Sequence, residues 1–265
     1  MRYFKKSLGQ NFLTDKNIVK KISNLTNIKN KNILEIGPGK GILTDQILSK
    51  KPKSLILVEK DNSLYEFLKQ KYNQNKLITI YNKDILKFDL DKKIRNNSII
   101  FGNLPYNISS QILVKFIRLK SNVNKYSTLI FMFQKELAER IIGKFGTSNY
   151  GRLSVLVNYK LNVIKRFNVS PNCFFPKPKV NSSVLCFEPH NFKNHNIKNI
   201  KNLEKITNIL FSNQRKMINK SIKKIFNKEE KFKLIKNINL NSRPSELNPD
   251  KYYEITAVFE KFLKN

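Results

Sequence analysis

The sequence predicts an α/β fold: a mostly parallel sheet flanked by helices, with a small all-helical region after it. Three observations carry this. Short apolar runs alternate with stretches of helical periodicity between Lys31 and Phe133, which is the pattern of a parallel sheet with crossover helices. Two further apolar runs follow with no helical stretch between them. Beyond residue 190 only helical patterns remain.

The strand-like runs are residues 32–36, 54–58, 77–81, 98–101 and 128–133. In the clearest intervening helix, Ile108, Ile112, Leu113, Phe116 and Ile117 recur at helical spacing. Residues 154–159 and 183–187 read as two more strands, and with no crossover helix between them an antiparallel edge strand is expected. Residues 190–202 are rich in Asn and Lys and show little periodicity, as a linker would. Three apolar stripes follow: Leu203, Ile206 and Leu210; Ile218, Ile222, Ile225 and Phe226; and Tyr252, Ile255, Thr256, Phe259 and Phe262. The expected organisation is therefore a domain over 1–190 and a helical domain over 191–265.

Of the 265 residues, 40% are hydrophobic, enough for a sizeable core. No apolar run reaches the roughly eighteen residues of a spanning helix. The start, Met1-Arg2-Tyr3-Phe4-Lys5-Lys6, is basic and lacks the apolar run of a secretory signal. The two cysteines, Cys173 and Cys186, make a poor disulfide framework and are too few for a thiolate metal site. A cytoplasmic protein without metal, acting as a monomer, is expected. The formal charge of +32 attracts polyanions, and nucleic acid fits better than a membrane surface, because no basic amphipathic anchor stands out at either end.

Glu35-Ile36-Gly37-Pro38-Gly39-Lys40-Gly41 follows the first strand and precedes a helix. Its glycines allow a tight turn and close approach of a ligand. Glu59 ends the second strand, twenty-two residues after Gly37, where an acid can accept hydrogen bonds from both ribose hydroxyls. Asp84 follows the third strand and can accept from an adenine amino group. Acids at the carboxyl ends of successive strands suit a nucleoside cofactor, either a dinucleotide or S-adenosylmethionine. The third glycine comes one residue too early for the pyrophosphate loop G-x-G-x-x-G, which leans against the dinucleotide.

Asn103-Leu104-Pro105-Tyr106 follows the fourth strand directly. The N6 nitrogen of adenine is a poor nucleophile because its lone pair is delocalised into the ring. Accepting hydrogen bonds from the amino hydrogens turns that lone pair toward an incoming methyl group. The Asn103 side-chain oxygen is one acceptor. The Leu104 carbonyl, restricted by Pro105, is a second. Tyr106 offers a flat face for the base.

With these residues in place, the chain resembles the rRNA adenine N6,N6-dimethyltransferase family over most of its length. Leu8-Gly9-Gln10-Asn11-Phe12-Leu13 resembles the family's cofactor-capping segment, which implies that Asn11 and Leu13 contact S-adenosylmethionine. Residues 34–41 resemble the methionine-side loop, with Gly37 against the cofactor. Asn103 to Tyr106 matches the catalytic tetrapeptide. Tyr150-Gly151-Arg152-Leu153-Ser154-Val155 resembles the entry into the sixth strand. Residues 174–183, Phe174-Phe175-Pro176-Lys177-Pro178-Lys179-Val180-Asn181-Ser182-Ser183, resemble the final loop and strand. There the resemblance assigns Phe174 to pack on the target base opposite Tyr106, with Phe175 as the alternative. It implies a Rossmann-like class I S-adenosylmethionine-dependent methyltransferase with a seven-stranded sheet.

Two tail segments, Asn213-Gln214-Arg215-Lys216-Met217 and Arg243-Pro244-Ser245-Glu246-Leu247, resemble the branch acting on small-subunit rRNA more than the macrolide-resistance branch acting on large-subunit rRNA. That branch implies dimethylation of two adjacent adenosines near the 3′ end of 16S rRNA, within a partly assembled subunit, and a role in ribosome biogenesis. Nine Lys or Arg lie between Arg215 and Lys236, against Glu229 and Glu230. Lys216, Lys220, Lys223 and Lys224 interleave with the apolar stripe and are expected on its exposed side, as phosphate contacts. The competing readings are a large-subunit rRNA or DNA methyltransferase, an assembly factor acting by RNA binding, and a nicotinamide-dependent dehydrogenase.

Overall fold

The computed structural model describes residues 11–119, 125–190, 197–227, 233–235 and 237–263. Leu8 to Gln10 of the first motif, and positions 228–232 and 236 of the basic stretch, lie outside them.

The strands in chain order are β1 (Phe12–Leu13), β2 (Asn32–Ile36), β3 (Ser54–Glu59), β4 (Ile78–Asn82), β5 (Ser98–Asn103), β6 (Tyr126–Gln134), β7 (Leu161–Val169), β8 (Phe174–Phe175) and β9 (Ser182–Pro189). Seven of them form one sheet in the order β4-β3-β2-β5-β6-β9-β7. The pairs from β4 through β6 are all parallel, and β9 runs antiparallel to β6. The antiparallel strand thus stands one place in from the edge, and β7 is the edge itself. β1 and β8 form a separate antiparallel pair.

The helices α1 (Lys16–Ser23), α2 (Ile42–Leu48), α3 (Asn62–Lys71), α4 (Leu90–Lys93) and α5 (Ser109–Ile117) lie between the early strands. Aspartates start three of them. Asp15, Asp61 and Asp89 each accept backbone N–H bonds from the first turn, which satisfies donors that the helix itself leaves unpaired. The sheet is covered on both faces, so Ile33, Leu34, Ile36, Leu55, Leu57, Ile99, Ile100 and Phe101 are all buried. That is why the central strands read as nearly unbroken apolar runs.

The chain forms two compact units. The first comprises residues 1–138 and 162–189, the second residues 139–161 and 190–265. The second unit thus takes a segment from the middle of the chain as well as its C-terminal part. It contains α7 (Arg152–Lys160), α8 (Ile200–Phe211), α9 (Asn219–Ile225) and α10 (Pro249–Lys261), while α6 (Lys135–Ile141) spans the division.

Residues 154–159, expected as a strand, are helical. Gly151 opens α7: its N–H donates to Ser154 Oγ, and Ser154 Oγ–H donates back to the Gly151 carbonyl. The run Val155-Leu156-Val157 is buried because α7 packs among helices of its own unit. Tyr253 Oη donates to the Val155 carbonyl, and the Tyr159 and Tyr253 rings lie 4.9 Å apart. A short apolar run buried all round reads alike as strand or helix. Tyr150–Val155 accordingly enters a helix, and β7 begins only at Leu161.

In the C-terminal part, Phe211 stacks on Tyr252 at 5.3 Å. The buried Glu260 carboxylate accepts from the N–H groups of Lys198 and Asn199 and from Asn202 Nδ2, closing the start of α8. That helix starts at Ile200, inside the stretch expected as linker. Arg243 to Leu247 forms a 3₁₀ turn whose carbonyls accept from Tyr150 and Tyr252 hydroxyls.

Candidate active site

A cavity of about 430 Å³ opens at the carboxyl ends of the parallel strands. Turns after β2, β3 and β5 and the segment from Asn11 to Thr14 build its walls. This is where an open parallel sheet presents its ligand, and the volume is in the range of a nucleoside-sized guest.

The turn after β2 is set by glycine. Gly37 and Gly39 have φ of +63° and +59°, a region that L side chains rarely adopt. A Cβ on Gly39 would stand 2.9 Å from the Phe12 ring, so the glycine also lets β1 close onto the turn. The main chain of this turn is tied to the next strand. Gly39 N–H donates to Glu59 Oε2 at 3.2 Å, and Asp61 N–H donates to Glu59 Oε1 at 2.9 Å. Glu59 is 5% exposed. Burial pushes its carboxyl pKa up against the opposing pull of these backbone donors. The Lys60 N–H pulls the same way, and the carboxylate keeps acceptor capacity to spare for a ligand.

Glu35 belongs to the glycine motif but has no role assigned from sequence. It lines the cavity and is 2% exposed. The hydrogen bond to its carboxyl comes from Thr44 Oγ1, at 2.7 Å to Oε2. Burial raises its pKa to about 8, helped by the charges of Asp45 and Glu59 and opposed by the Thr44 hydrogen bond and Lys71. The signal is present in the sequence as one acid inside the apolar run Ile33-Leu34-Glu35-Ile36.

The sign of this shift gives a stability prediction. The folded state holds a proton that the unfolded chain releases near pH 4.5, so the contribution of Glu35 is full below 4.5 and is lost as pH rises to about 8. Glu35→Gln, which keeps an acceptor for Thr44, is expected to remove that part of the slope and to exceed the parent in stability above pH 8. Urea unfolding midpoints across pH 4 to 9 check this; parallel curves would contradict it.

Asn103 ends β5. Its Nδ2 donates to the Asn11 carbonyl at 2.9 Å. A carbonyl only accepts, so this bond fixes which way the amide lies and leaves Oδ1 as its acceptor end. Leu104 and Pro105 follow along the wall. The chain then turns, with Ile108 N–H donating to the Pro105 carbonyl and Ser109 Oγ to the Tyr106 carbonyl, before α5 begins. The half-buried Tyr106 hydroxyl shares a hydrogen bond of 2.7 Å with Ser182 Oγ. Burial raises the Tyr106 pKa, and the bond to Ser182 lowers it.

The structure brings Asn11, Leu13, Gly37, Glu59, Asn103, Leu104, Pro105 and Tyr106 to one cavity. Two expected residues are not among those that line it. Phe174 is 4% exposed and packs in the core with Leu13, Cys173 and Val184; Phe175, 68% exposed, is the aromatic on the cavity. The pairing with β1 sets this phase, with Leu13 opposite Phe174 and Phe12 opposite Phe175. Asp84 is engaged instead with Lys60 Nζ at 2.9 Å and the Leu86 N–H at 2.9 Å. Its partial burial works to raise its pKa, but the Lys60 hydrogen bond, the Leu86 N–H and the charges of Lys60 and Lys87 outweigh this and hold it low. Lys60 itself lines the cavity.

Among the described residues no group of three or more His, Cys, Asp or Glu is placed to hold a metal ion, and no helix is long and apolar enough to cross a membrane.

The chain has relatives over nearly its whole length. A family model described as ribosomal RNA adenine dimethylase matches residues 1–261. A ribosomal RNA small subunit methyltransferase A from Pelagibacter ubique is 48% identical over 257 residues, 97% of each chain. One of the same name from Mycoplasma mobile is 41% identical over 254 residues, 94% of this chain and 95% of the other. Among solved structures, a dimethyladenosine transferase from Plasmodium falciparum gives a TM-score of 0.77 at 25% identity, covering 94% of this chain and 98% of that one. The 23S rRNA methyltransferase ErmE gives 0.67 at 20% identity, covering 94% and 100%, and is alike in fold.

Proposed function

Because the chain belongs to the ribosomal RNA adenine dimethylase family, we propose that it dimethylates N6 of two adjacent adenosines near the 3′ end of small-subunit rRNA, using S-adenosylmethionine. The observation that carries this reading is the Asn103 amide, held by Asn11 with its oxygen end free for an amino group, in a cavity that also contains two buried acids.

The residues present fit a cationic nucleoside cofactor. Glu59 offers its remaining lone-pair capacity to ribose hydroxyls, Glu35 adds a second buried carboxyl to the lining, and Gly37 leaves room for a ligand against the main chain. S-adenosylmethionine, when bound, supplies an electrophilic methyl group. On the target side, Asn103 Oδ1 and the Leu104 carbonyl accept the amino hydrogens and hold the N6 lone pair in line. Tyr106 and Phe175 offer faces to the base. No side chain need act as a strong base, since the amine loses its extra proton readily once alkylated, and alignment carries the rate. The target adenine must leave its stack, at a cost of a few kcal/mol that is least in a loop.

The C-terminal helices hold the RNA. Asn208 and Ile209 of α8, Ser212 and Asn213 after it, and Lys220, Ser221 and Lys224 of α9 line a polar notch. Lys216, Lys220, Lys223 and Lys224 are exposed. Phosphate contacts there position the RNA without reading its sequence. Lys220→Gln with Lys224→Gln is expected to weaken RNA binding and flatten its salt dependence by about 0.7 in log–log slope per lost contact, with cofactor affinity unchanged. Filter binding across a salt series measures this, and an unaltered slope would remove the two lysines from the interface.

The function itself is tested by incubating the protein and labelled S-adenosylmethionine with small and large subunits from cells that lack dimethyladenosine, then mapping the product. Two adjacent dimethyladenosines in small-subunit rRNA are expected. Label confined to large-subunit rRNA, or none at all, overturns the reading.

A further inference from the structure

From the position of one buried hydroxyl, we infer that Ser182 is a positioning residue for the methylation: it holds the Tyr106 ring in the orientation that receives the target base. The inference rests on the reading of this cavity as the adenine-methylating site and adds to it a residue outside the catalytic tetrapeptide.

Ser182 is the first residue of β9 and is fully buried, at 0% exposure. Its Oγ lies 2.7 Å from the Tyr106 hydroxyl, within the usual range for an O–H···O bond. The neighbouring Ser183 is used differently. Its Oγ donates to Asn168 Oδ1 of β7, as expected where successive side chains point to opposite faces. Ser182 therefore has a distinct partner, fixed by strand alternation.

The topology explains how the two residues meet. Tyr106 lies three residues beyond β5, at the carboxyl edge of the parallel strands. A parallel neighbour would present its last residue at that edge. β9 is antiparallel to β6, with Ser182 opposite Gln134 at the end of β6, so it presents its first residue there instead. Asn103 pairs with Met132, and Met132 with Val184. The acceptor amide and the Ser182 anchor are thus held on one continuous three-strand ladder.

The restraint matters because an aromatic ring can turn about its side-chain torsions. Tyr106 is tied at the main chain by Ser109, whose Oγ donates to the Tyr106 carbonyl, and at its far end by Ser182. Tied at both ends, the ring presents one face and loses little freedom when a base stacks on it. Without Ser182 the ring must be ordered at the moment of base capture, and misorientation of a stacked base misaligns N6 relative to Asn103.

A double-mutant cycle tests the inference. Ser182→Ala and Tyr106→Phe each remove one end of the same hydrogen bond. Each is expected to lower kcat/KM for the rRNA substrate by about tenfold, with cofactor Kd unchanged by calorimetry. Combining them is expected to cost less than about twofold beyond either alone, and Ser182→Thr, which keeps the hydroxyl, is expected to recover to within about threefold of the parent. A merely structural role for Ser182 would give a loss that persists in the Tyr106→Phe background and a matching fall in the urea midpoint. Independent, multiplying losses, or a Ser182→Ala enzyme as active as the parent, would overturn the inference. The parent enzyme is the control for the underlying reading. If it methylates no adenine, that reading fails; if it is active and the cycle shows no coupling, the Ser182 assignment alone fails.

Discussion

Replacing Asn103 with alanine is expected to lower methyl transfer by about a hundred- to a thousandfold while RNA affinity stays within about twofold. The amide is fixed from outside the tetrapeptide, through the Asn11 carbonyl. Its oxygen is needed where charge develops on the amine, an interaction that strengthens toward the transition state and therefore acts on kcat. On the proposed reading, RNA affinity comes mainly from phosphate contacts on the C-terminal helices, which the substitution does not touch. Asn103→Asp separates acceptor from anchor. The carboxylate keeps acceptor oxygens but turns one of them toward the Asn11 carbonyl, where two acceptors repel. It is expected to fall nearly as far as alanine. Single-turnover methylation together with filter binding checks both variants. An active Asn103→Asp enzyme would show that the anchor to Asn11 has no part in the rate.

The second large effect is on the cofactor. Glu59→Ala is expected to raise the Kd for S-adenosylmethionine by about a hundredfold, while kcat at saturating cofactor changes little. Two backbone donors, Gly39 N–H and Asp61 N–H, converge on the one carboxylate, and a hydrogen bond to a charged group contributes about 1.5–3 kcal/mol. Removing the acceptor loosens the turn after β2 as well as deleting the proposed ribose contacts. Glu59→Gln keeps one acceptor oxygen but sets an NH₂ against a backbone N–H, and a loss of about tenfold is expected. Titration calorimetry with the cofactor and with its demethylated product measures this. A Kd within threefold of the parent for Glu59→Ala would place the ribose elsewhere.

Much of the fold was legible because the central strands are buried on both faces. Ile33, Leu34, Ile36, Leu55, Leu57, Ile99 and Ile100 leave an apolar signature that needs no tertiary knowledge. The edge strand β7 was missed for the opposite physical reason. Its sequence, Leu161-Asn162-Val163-Ile164-Lys165-Arg166-Phe167-Asn168-Val169, carries charge in its middle, which suits a solvated edge and hides it from a search for apolar runs. Residues 154–159 read as a strand because Val155, Leu156 and Val157 are all buried, and the helices that pack on them begin at Ile200 and Pro249, far along the chain.

At the cavity, the positions fixed by local chain geometry were legible: the glycine turn, Glu59 at its strand end and the tetrapeptide after β5. Those fixed by distant pairing were not. Whether Phe174 or Phe175 faces the cavity depends on the register of two residues against Phe12 and Leu13, roughly 160 positions away, and a slip by one exchanges the faces. Asp84 is a comparable case, because its partner Lys60 lies on the neighbouring strand's turn. The Ser182 hydroxyl could be quoted from sequence, but its partner could not.

The short β1–β8 pair has a thermodynamic consequence. Phe12 rests on Gly39 of the cofactor-side turn, Asn11 holds the catalytic amide, and Phe12 is the ladder partner of Phe175 on the target side. On the proposed reading, ordering any one of these favours the others, and the cofactor and RNA sites are expected to share part of their binding free energy. Such coupling is reciprocal by necessity: the factor by which cofactor tightens RNA binding is the factor by which RNA tightens cofactor binding. Through a few residues of backbone, each reactant is then expected to act as an effector of the other.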